Sequence, residues 1–190
     1  MRVIAGTYRS RQLVAPRGTG TRPTSDRLRE TLFNVLAPRI EGARFLDLYA
    51  GSGAVGIEAA SRGAASVVLV ERAAPALKIL HGNLQNLGLQ NGIRVDALSV
   101  AAFLRQGRSR GAFVPFDIVF LDPPYEDSAE YALALRLLGG EASVILAADA
   151  HIIAEHRRKE PLEERYGGLA RTRLLEQGDA ALSFYAIASA

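Results

Sequence analysis

The sequence predicts an α/β fold in which helices cover both faces of a mainly parallel, doubly wound sheet. Three observations support this prediction. Strand-like and helix-like runs alternate from residue 44 onwards, which is typical of such sheets. A glycine-rich loop separates the first strand from the first helix of this alternation, and carboxylate side chains follow several predicted strands. Because doubly wound sheets bind ligands at the carboxyl ends of their strands, these residues are candidates for a binding site.

Length and composition restrict the possible classes of protein. The 190 residues, 48% of them hydrophobic and 23% charged, suit one globular domain with its own core. The chain has no cysteine, which excludes disulfides, thiolate metal ligands and cysteine nucleophiles. Its three histidines are scattered, so we expect no metal site: His81, His151 and His156. We find no signal peptide and no apolar run of the roughly 18 residues that a membrane span needs, and we expect a soluble cytoplasmic protein.

Positive charge is concentrated at the start of the chain. Residues 1–44 contain nine arginines and three acidic residues, a net charge of +6, whereas residues 45–190 contain 14 basic and 17 acidic residues, a net charge of −3. This asymmetry indicates either a polyanionic partner or a solvated basic arm without a specific partner. We therefore divide the sequence into a basic extension, residues 1–43, and a core domain, residues 44–190.

The basic extension is predicted to contain a β-hairpin followed by a helix. The hairpin is predicted from three segments: residues 3–5, a turn near residues 6–10, and residues 12–14. Thr24 or Ser25 can cap the helix, with Asp26 in its first turn. The apolar stripe of this helix consists of Leu28, Leu32, Val35 and Leu36. Pro38 is predicted to end the helix.

The core domain is predicted to contain seven strands with helices between them. The predicted strands are residues 44–49, 67–71, 93–97, 117–122, a fifth strand, 170–176 and 181–187. The predicted helices run from the glycine loop to residue 62 and over residues 75–87, 100–105 and 128–138. The fifth strand is ambiguous, because residues 142–147 and 151–155 both have a strand-like pattern. A Gly178-Asp179 turn separates the last two strands, which predicts a hairpin and makes the last strand antiparallel to its neighbour.

The loop after the first predicted strand has the features of a cofactor site. Gly51 to Gly56 match the G-x-G-x-x-G pattern and Glu71 follows Gly51 by 20 residues, which suits a dinucleotide and S-adenosylmethionine equally. Asp47 lies at the mouth of the loop, where its carboxylate would repel a pyrophosphate but attract the ammonium group of S-adenosylmethionine. We therefore predict an S-adenosylmethionine site, with a tight turn that binds no ligand as the alternative.

Two further strand ends supply residues for the same cofactor. Glu71 can accept hydrogen bonds from two ribose hydroxyls. Asp96 can accept one from the adenine amine while the backbone amide of Ala97 contacts a ring nitrogen, although a solvated aspartate after a strand is also common. The predicted cofactor-binding residues are Asp47, Tyr49, Gly51, Ser52, Gly53, Glu71, Asp96 and Ala97.

The fourth predicted strand runs into Asp122-Pro123-Pro124-Tyr125, which suits recognition of an amine on a flat ring. The lone pair of such an amine is delocalised, so acceptors on its two hydrogens are needed to aim it at a methyl donor. The Asp122 carboxylate and the Pro123 carbonyl can be these acceptors, and the two prolines hold the backbone extended without amide donors. Tyr125 offers a face for stacking a base. We predict that these four residues are catalytic through positioning and electrostatics, with an ordinary proline turn as the alternative.

These motifs, in this order, resemble those of the amino-methyltransferases, whose acceptor motif is [D/N/S]-P-P-[Y/F/W]. A closer resemblance to one family in that group extends over nearly the whole chain. The residues that carry it are 2–6, 8–9, 22–27, 29–34, 47–53 and the Gly178-Asp179 turn. On these residues the chain is similar to the bacterial 16S ribosomal RNA guanine-N2 methyltransferase family. It departs from the family pattern at Ala5, where glycine is frequent, and over residues 138–150.

The resemblance implies a Rossmann-like class I methyltransferase sheet of seven strands, the last antiparallel, with a small N-terminal extension of a β-hairpin and a helix. It implies S-adenosyl-L-methionine as the cofactor and the exocyclic N2 amine of a guanine in 16S rRNA as the methyl acceptor. The implied partner is ribosomal RNA or an assembly intermediate of the small ribosomal subunit. We expect a monomer that needs neither a membrane nor a metal, and we favour residues 151–155 as the fifth strand.

The resemblance also gives the basic extension a function. The predicted RNA-binding residues are Tyr8, Arg9, Arg11, Arg22 and Arg27. The first three can stack on RNA and neutralise its phosphates, and the last two can line the pocket for the acceptor base. The alternative for each arginine is a solvated charge or an ion pair with Asp26 or Glu30.

Three other functions share some of these motifs. A DNA adenine-N6 methyltransferase would have both loops, but such enzymes usually carry a sizeable region for target recognition, and here only about 44 residues precede the core. An NAD-dependent oxidoreductase would share the glycine loop and Glu71 but leave Asp47 and the Asp-Pro-Pro-Tyr loop without a role. A non-catalytic RNA-binding protein would not need Asp122 and Tyr125.

Overall fold

A computed structural model of the chain describes residues 1–15, 26–89, 92–110, 114–124 and 128–188. The chain forms two compact units, Met1–Leu98 and Ser99–Ala190. The first unit contains the basic extension and the glycine loop. The second contains the Asp-Pro-Pro-Tyr loop and the C-terminal hairpin. The division of the sequence near residue 44 into an extension and a core stays a prediction.

The first unit is a three-stranded parallel sheet with helices. Its elements in chain order are α1 (Asp26–Ile40), β1 (Arg44–Asp47), α2 (Ala54–Ser61), β2 (Ser66–Val70), α3 (Ala74–Leu87) and β3 (Ile93–Asp96). The strand order within the unit is β3-β2-β1, and α2 packs against β1 and β2. Each predicted strand and helix of this part of the core is present within two residues of its expected bounds. The apolar residues of β1 and β2 are buried, and those of β3 are half-buried.

The parallel register brings the carboxylate-bearing strand ends of this unit to one edge of the sheet. Asp47 pairs with Leu69, and Val70 pairs with Asp96. The carboxyl ends of β1, β2 and β3 therefore lie side by side, as the prediction of a ligand site at this edge requires.

Helix α1 continues past the residue that was predicted to end it. Pro38 lies inside the helix, which ends at Ile40. Pro38 has no N–H to donate to the carbonyl of Asn34 and its ring crowds that carbonyl, but this affects only the last turn of the helix. The side chain of Ile40 is buried, and its burial favours the extra residues of the helix.

The N-terminal hairpin is shorter than predicted. Its turn lies near residues 6–10 as expected, but the two predicted strands reduce to a single bridge between Arg2 and Gln12. The backbone N–H groups of Ile4 and Ala5 donate instead to the two carboxylate oxygens of Glu58 on α2, at 2.7 and 3.0 Å. Side chains of the core thus replace the partner strand, and the segment is bound to the unit along its length.

The second unit combines two parallel strands with an antiparallel meander. Its elements are α4 (Val100–Arg110), β4 (Phe116–Leu121), α5 (Ser128–Leu138), a 3₁₀ helix (Ser143–Ile145), β5 (Leu146–Arg157), β6 (Arg165–Tyr166), β7 (Leu169–Gln177) and β8 (Ala180–Ile187). The strand order within the unit is β4-β5-β8-β7-β6, with β4 and β5 parallel. The hairpin of β7 and β8 closes at Gln177 and Ala180, which confirms the predicted Gly178-Asp179 turn. No helix in the described part of the chain is both long and apolar enough to cross a membrane.

The ambiguity of the fifth strand has a structural cause. β5 contains all of residues 151–155 and the end of residues 142–147, whose first part forms the 3₁₀ helix. Its pairing with β4 is interrupted, because Phe116 lies opposite Leu146 whereas Ile118 lies opposite His151. The preferred segment is therefore confirmed as strand, and the bulge explains why a second strand-like run precedes it.

Counted over the described residues, the two units hold eight strands rather than seven. The additional strand, β6, has only two residues, too few to produce a pattern in the sequence. It is held by close backbone packing, since the amide of Gly168 donates to the carbonyl of Gly139 at 2.7 Å. A Cβ on Gly139 would lie 1.9 Å from the Tyr166 carbonyl oxygen, so glycine is required there.

Candidate functional site

The glycine loop is fixed to the sheet by backbone geometry that needs its glycines. Gly51 and Gly53 have φ values of 53° and 80°, a region that side chains disfavour. The amide of Gly53 donates to the carbonyl of Ala50 at 2.7 Å, and the amide of Ala50 donates to Val70 in β2 at 3.0 Å. A Cβ on Gly51 would meet no atom within 4 Å. The loop is thus held to the sheet by backbone hydrogen bonds, with open space beside Gly51.

The third glycine of the motif, Gly56, allows α2 to pack closely against β2. A Cβ on Gly56 would lie 2.2 Å from a methyl carbon of Leu69 in β2. Without a side chain at this position, α2 can approach the sheet closely, and its N-terminus lies at the loop.

Asp47 lies at the end of β1, and its buried carboxyl group is incompletely hydrogen-bonded. The residue is 1% exposed, and its Oδ1 atom has no hydrogen-bond partner among the described residues. Burial raises the pKa of Asp47 to about 7, the charge of Glu71 adds to this, and backbone N–H groups of Tyr49 and Gly56 oppose it. A ligand with an ammonium group would satisfy the unpartnered oxygen and favour the ionised form.

Glu71 ties the glycine loop to the start of α3. Its Oε2 accepts a hydrogen bond from the amide of Gly51 at 2.9 Å, and its Oε1 accepts from the amides of Arg72 and Ala73 at 2.8 and 2.7 Å. A carboxylate oxygen can accept two hydrogen bonds, so Oε2 can still accept one ribose hydroxyl. The predicted contact with ribose stays a prediction, and the structure adds a role in holding the loop.

Asp96 follows β3 at the same edge of the sheet. Its carboxylate pairs with Arg94, with a distance of 2.7 Å between Arg94 Nη2 and Asp96 Oδ2. Its carbonyl accepts a hydrogen bond from the amide of Glu71 at 3.1 Å, and Ala97 is exposed. To bind an adenine amine, the Asp96 carboxylate would have to accept that hydrogen bond as well as those from Arg94. The contact with adenine stays a prediction.

Tyr49 and Ser52 lie on the loop between Asp47 and α2, as predicted. Tyr49 is half-buried, whereas Ser52 is buried. The carbonyl of Ser52 accepts a hydrogen bond at 2.9 Å from Nδ2 of Asn83 on α3. Asn83 was not predicted as a functional residue, although its spacing from Leu80 and Leu87 places it on the buried stripe of α3. A polar residue in an apolar stripe is the signal that could have identified it.

The predicted RNA-binding residues of the hairpin turn lie together on the surface of the first unit. The amide of Tyr8 donates to the Ser61 hydroxyl at 3.0 Å, and Arg11 donates to the carbonyl of Asn86 at 3.1 Å. Arg9 is exposed between them. Arg27 is exposed on α1, and Arg22 lies outside the described residues. Their contacts with RNA stay a prediction.

A buried ion network under the N-terminal segment was also not predicted. Glu58 and Arg29 are both fully buried, and Arg62 donates to Glu58 at 2.7 Å. Arg29 donates to the carbonyl of Arg2 and to Asp26. Burial lowers the pKa of Arg29, although the neighbouring carboxylates of Asp26 and Glu58 oppose this. This network holds the basic segment in place on α1 and α2.

In the second unit, the predicted acceptor residues follow β4 directly. Asp122 is half-buried, Pro123 is buried and Pro124 is exposed. Strand β4 is buried from Ile118 to Leu121, so the start of the loop is anchored by the core. Tyr125 lies outside the described residues.

The comparisons with known proteins agree on one family. The family model described as "Conserved hypothetical protein 95" matches residues 1–186. The protein YlbH of Bacillus subtilis (strain 168), which its name assigns to the rRNA methyltransferases, is 38% identical over 97% of this chain and 98% of its own. Ribosomal RNA small subunit methyltransferase D of Escherichia coli (strain K12) is 43% identical over 66% of this chain and 60% of its own.

A solved structure shows the same relationship. The Escherichia coli protein yhhF, described as a methyltransferase, is 35% identical, with a TM-score of 0.81 that covers 98% of this chain and 97% of that one. The predicted class I methyltransferase fold is therefore confirmed, with one strand more than expected. Because the family model spans nearly all of the sequence, this chain belongs to the methyltransferase family described as Conserved hypothetical protein 95.

Proposed function

We propose that this chain transfers a methyl group from S-adenosyl-L-methionine to the exocyclic N2 amine of a guanine in small-subunit ribosomal RNA. The observation that carries the proposal is the buried Asp47 carboxyl group at the head of the glycine loop, with one oxygen unpartnered among the described residues. A pyrophosphate would be repelled there, and an ammonium group would be bound. This favours S-adenosylmethionine over NAD.

The residues of the first unit bind and orient the cofactor. Asp47 binds the methionine ammonium, and Glu71 accepts a ribose hydroxyl with the oxygen that also holds Gly51. Asp96 and the amide of Ala97 contact the adenine. When bound, S-adenosylmethionine supplies an activated methyl group on a sulfonium, so the protein needs only to orient the acceptor and to stabilise developing charge.

The Asp-Pro-Pro-Tyr loop prepares the acceptor amine. The Asp122 carboxylate and the Pro123 carbonyl accept the two amine hydrogens and direct the nitrogen lone pair at the donor. Because Asp122 is half-buried, its carboxylate is only partly screened by water and can stabilise the cationic amine that forms. Tyr125 stacks on the guanine.

The basic N-terminal segment binds the RNA. Tyr8, Arg9 and Arg11 lie on one turn that is fixed to α2 and α3, so they present a stacking ring and two cations in a defined arrangement. Arg22 and Arg27 contact the same RNA. The relatives whose names specify ribosomal RNA support this partner. We propose that the protein acts as a monomer in the cytoplasm, on ribosomal RNA or on an assembling small subunit.

A methylation assay with three acceptors tests the proposed function. The protein and labelled S-adenosylmethionine are incubated with small-subunit RNA, with small ribosomal particles from a strain that lacks the enzyme, and with duplex DNA. We expect label in the RNA of one or both ribosomal samples, and N2-methylguanosine after digestion. Transfer only to adenine in DNA would contradict the proposal and support the adenine-N6 alternative.

The pKa of Asp47 makes cofactor binding depend on pH. The free protein holds Asp47 largely protonated below its pKa of about 7, whereas the bound ammonium favours the carboxylate. Binding below pH 7 therefore releases a proton, and affinity should rise by about tenfold per pH unit as the pH approaches 7, then level off. Calorimetry with S-adenosylhomocysteine, in buffers of different ionisation enthalpy from pH 5.5 to 8.5, measures the affinity and the number of protons released.

Asp47→Asn is the matched control for this pH dependence. It keeps the size of the side chain but cannot release a proton, so we expect weaker binding and a flat pH profile between 5.5 and 7. A wild-type affinity that does not change over this range would show that Asp47 does not bind the ammonium group.

A further inference from the structure

The side chain of Asn83 joins two segments that are far apart in the sequence. It lies on α3 and is 1% exposed. Its Nδ2 donates to the carbonyl of Val14 at 3.0 Å and to the carbonyl of Ser52 at 2.9 Å, and its Oδ1 accepts from the amide of Val14 at 2.8 Å. One buried amide group thus contacts both the N-terminal segment and the centre of the glycine loop.

These three bonds use chemistry that few side chains have. An amide group offers two N–H donors and one carbonyl acceptor. Both donors are engaged, one by each segment, and the acceptor binds the same residue as one of the donors. Aspartate has no donor, and leucine has neither group. Asn83 therefore satisfies the buried carbonyl of Ser52, and it binds both backbone groups of Val14, whose bonds to Asn83 are part-buried.

Neighbouring turns of α3 extend the same connection in both directions. One turn before Asn83, Leu80 packs under the loop, with its Cγ 3.3 Å from the position of a Cβ on Gly53. One turn after it, the carbonyl of Asn86 accepts the hydrogen bond from Arg11. Helix α3 thus contacts the glycine loop near its middle, through Leu80, and the hairpin turn near its C-terminal end, through Asn86, with Asn83 between them.

We infer that Asn83 is a positioning residue that couples the cofactor loop to the N-terminal segment, so that cofactor binding orders the segment that receives RNA. A cofactor that fixes the Ser52 peptide also fixes the amide group that binds it, and through it Val14. By thermodynamic reciprocity, RNA binding to the segment then raises cofactor affinity by the same factor. The nature of the second ligand rests on the proposed function, whereas the coupling between loop and segment does not.

Hydrogen exchange at the amide of Val14 tests the coupling directly, because that N–H donates to Asn83. We expect saturating S-adenosylhomocysteine to slow exchange of this amide by about tenfold in the wild-type protein. In Asn83→Asp, which keeps the acceptor for Val14 but loses both donors, the effect of S-adenosylhomocysteine should disappear. No response of Val14 in the wild-type protein would overturn the inference, whatever the stability of the variants.

Gln85→Glu is the matched control, since it introduces the same charge on the exposed face of the same helix. It should keep the wild-type response of Val14 to S-adenosylhomocysteine. Asn83→Ser is a second variant that removes the connection between the glycine loop and the N-terminal segment, because its uncharged side chain is too short to reach both. A full response in both Asn83 variants would show that the coupling does not pass through this residue.

A second measurement separates this inference from the proposed function. The affinity for small-subunit RNA, measured with and without S-adenosylhomocysteine, should differ by about tenfold in the wild-type protein and not at all in Asn83→Asp. A Val14 response in a protein that neither binds nor methylates RNA would support the coupling and refute the function. Methylation of RNA without any Val14 response would support the function and refute the coupling.

Discussion

Replacing Asp122 with alanine is expected to abolish methyl transfer while cofactor affinity stays unchanged. The variant removes one of the two acceptors that orient the amine, together with the charge that stabilises the cationic product. Removal of a single preorganised electrostatic group typically lowers kcat by about 10²–10³-fold, and we expect a loss at the upper end of this range. Single-turnover transfer to small-subunit RNA measures the rate, and calorimetry with S-adenosylhomocysteine measures the affinity.

Two further variants show whether the loss reflects the acceptor role. Asp122→Asn keeps one carbonyl acceptor but no charge, so its rate should lie between those of the alanine variant and the wild-type protein. Asp179→Ala removes an exposed carboxylate from the turn between β7 and β8 and should transfer methyl at the wild-type rate. The melting temperature of each variant, followed by circular dichroism, shows whether the replacement also affects stability. A rate in Asp122→Ala within a few-fold of wild type would remove this residue from the mechanism.

The regular part of the fold could be predicted because its pattern is local. Strands β1 to β4 are short apolar runs bounded by polar residues, and each lies within two residues of its expected position. The hairpin of β7 and β8 was predicted from a two-residue turn, and Gly178 has the positive φ of 61° that such turns require. In each case the residues that determine the structure are neighbours in the sequence.

The structure differs from the prediction where a contact with a residue far away in the sequence determines the local structure. Nothing near Ile4 and Ala5 indicates that their amides bind Glu58, which is 54 and 53 residues away, respectively. This contact ends the predicted hairpin strand. The break in β5 depends on its register with β4, and the two residues of β6 depend on Gly139, which directly follows α5. Such contacts have no periodic signal along the chain.

The residues of the candidate cofactor site could be named from the sequence, whereas the residues that hold them in place could not. Asp47, Gly51 and Glu71 follow a motif whose spacing reflects a direct physical requirement, and the parallel register brings their strand ends together. Asn83 belongs to no motif, because its function depends on two partners 31 and 69 residues away. Sequence motifs therefore indicate candidate ligand contacts, whereas the groups that hold those candidate residues in place emerge from the fold.

The largest effect on stability is expected for Glu58→Ala. Glu58 is fully buried and accepts hydrogen bonds from Ile4, Ala5 and Arg62 at 2.7–3.0 Å. Alanine would leave two backbone N–H groups without their partner and would remove a countercharge from Arg29, whose Nε lies 3.8 Å from Glu58 Oε2. Breaking a buried pair in this way costs about 3–5 kcal/mol in the free energy of unfolding. Urea denaturation followed by circular dichroism measures this loss.

Glu58→Gln and Glu41→Ala separate the contributions to this loss. Glutamine keeps one acceptor oxygen for a backbone N–H but not the charge, so its destabilisation should be smaller than that of alanine. Glu41 is exposed after α1, and its replacement should change the free energy of unfolding by less than about 0.5 kcal/mol. If the network holds the basic segment, the amides of Ile4 and Ala5 should exchange faster in Glu58→Ala even where the rest of the first unit stays protected. A stability within about 1 kcal/mol of wild type would mean that the segment is held by Ser61, Asn83 and its apolar contacts rather than by this carboxylate.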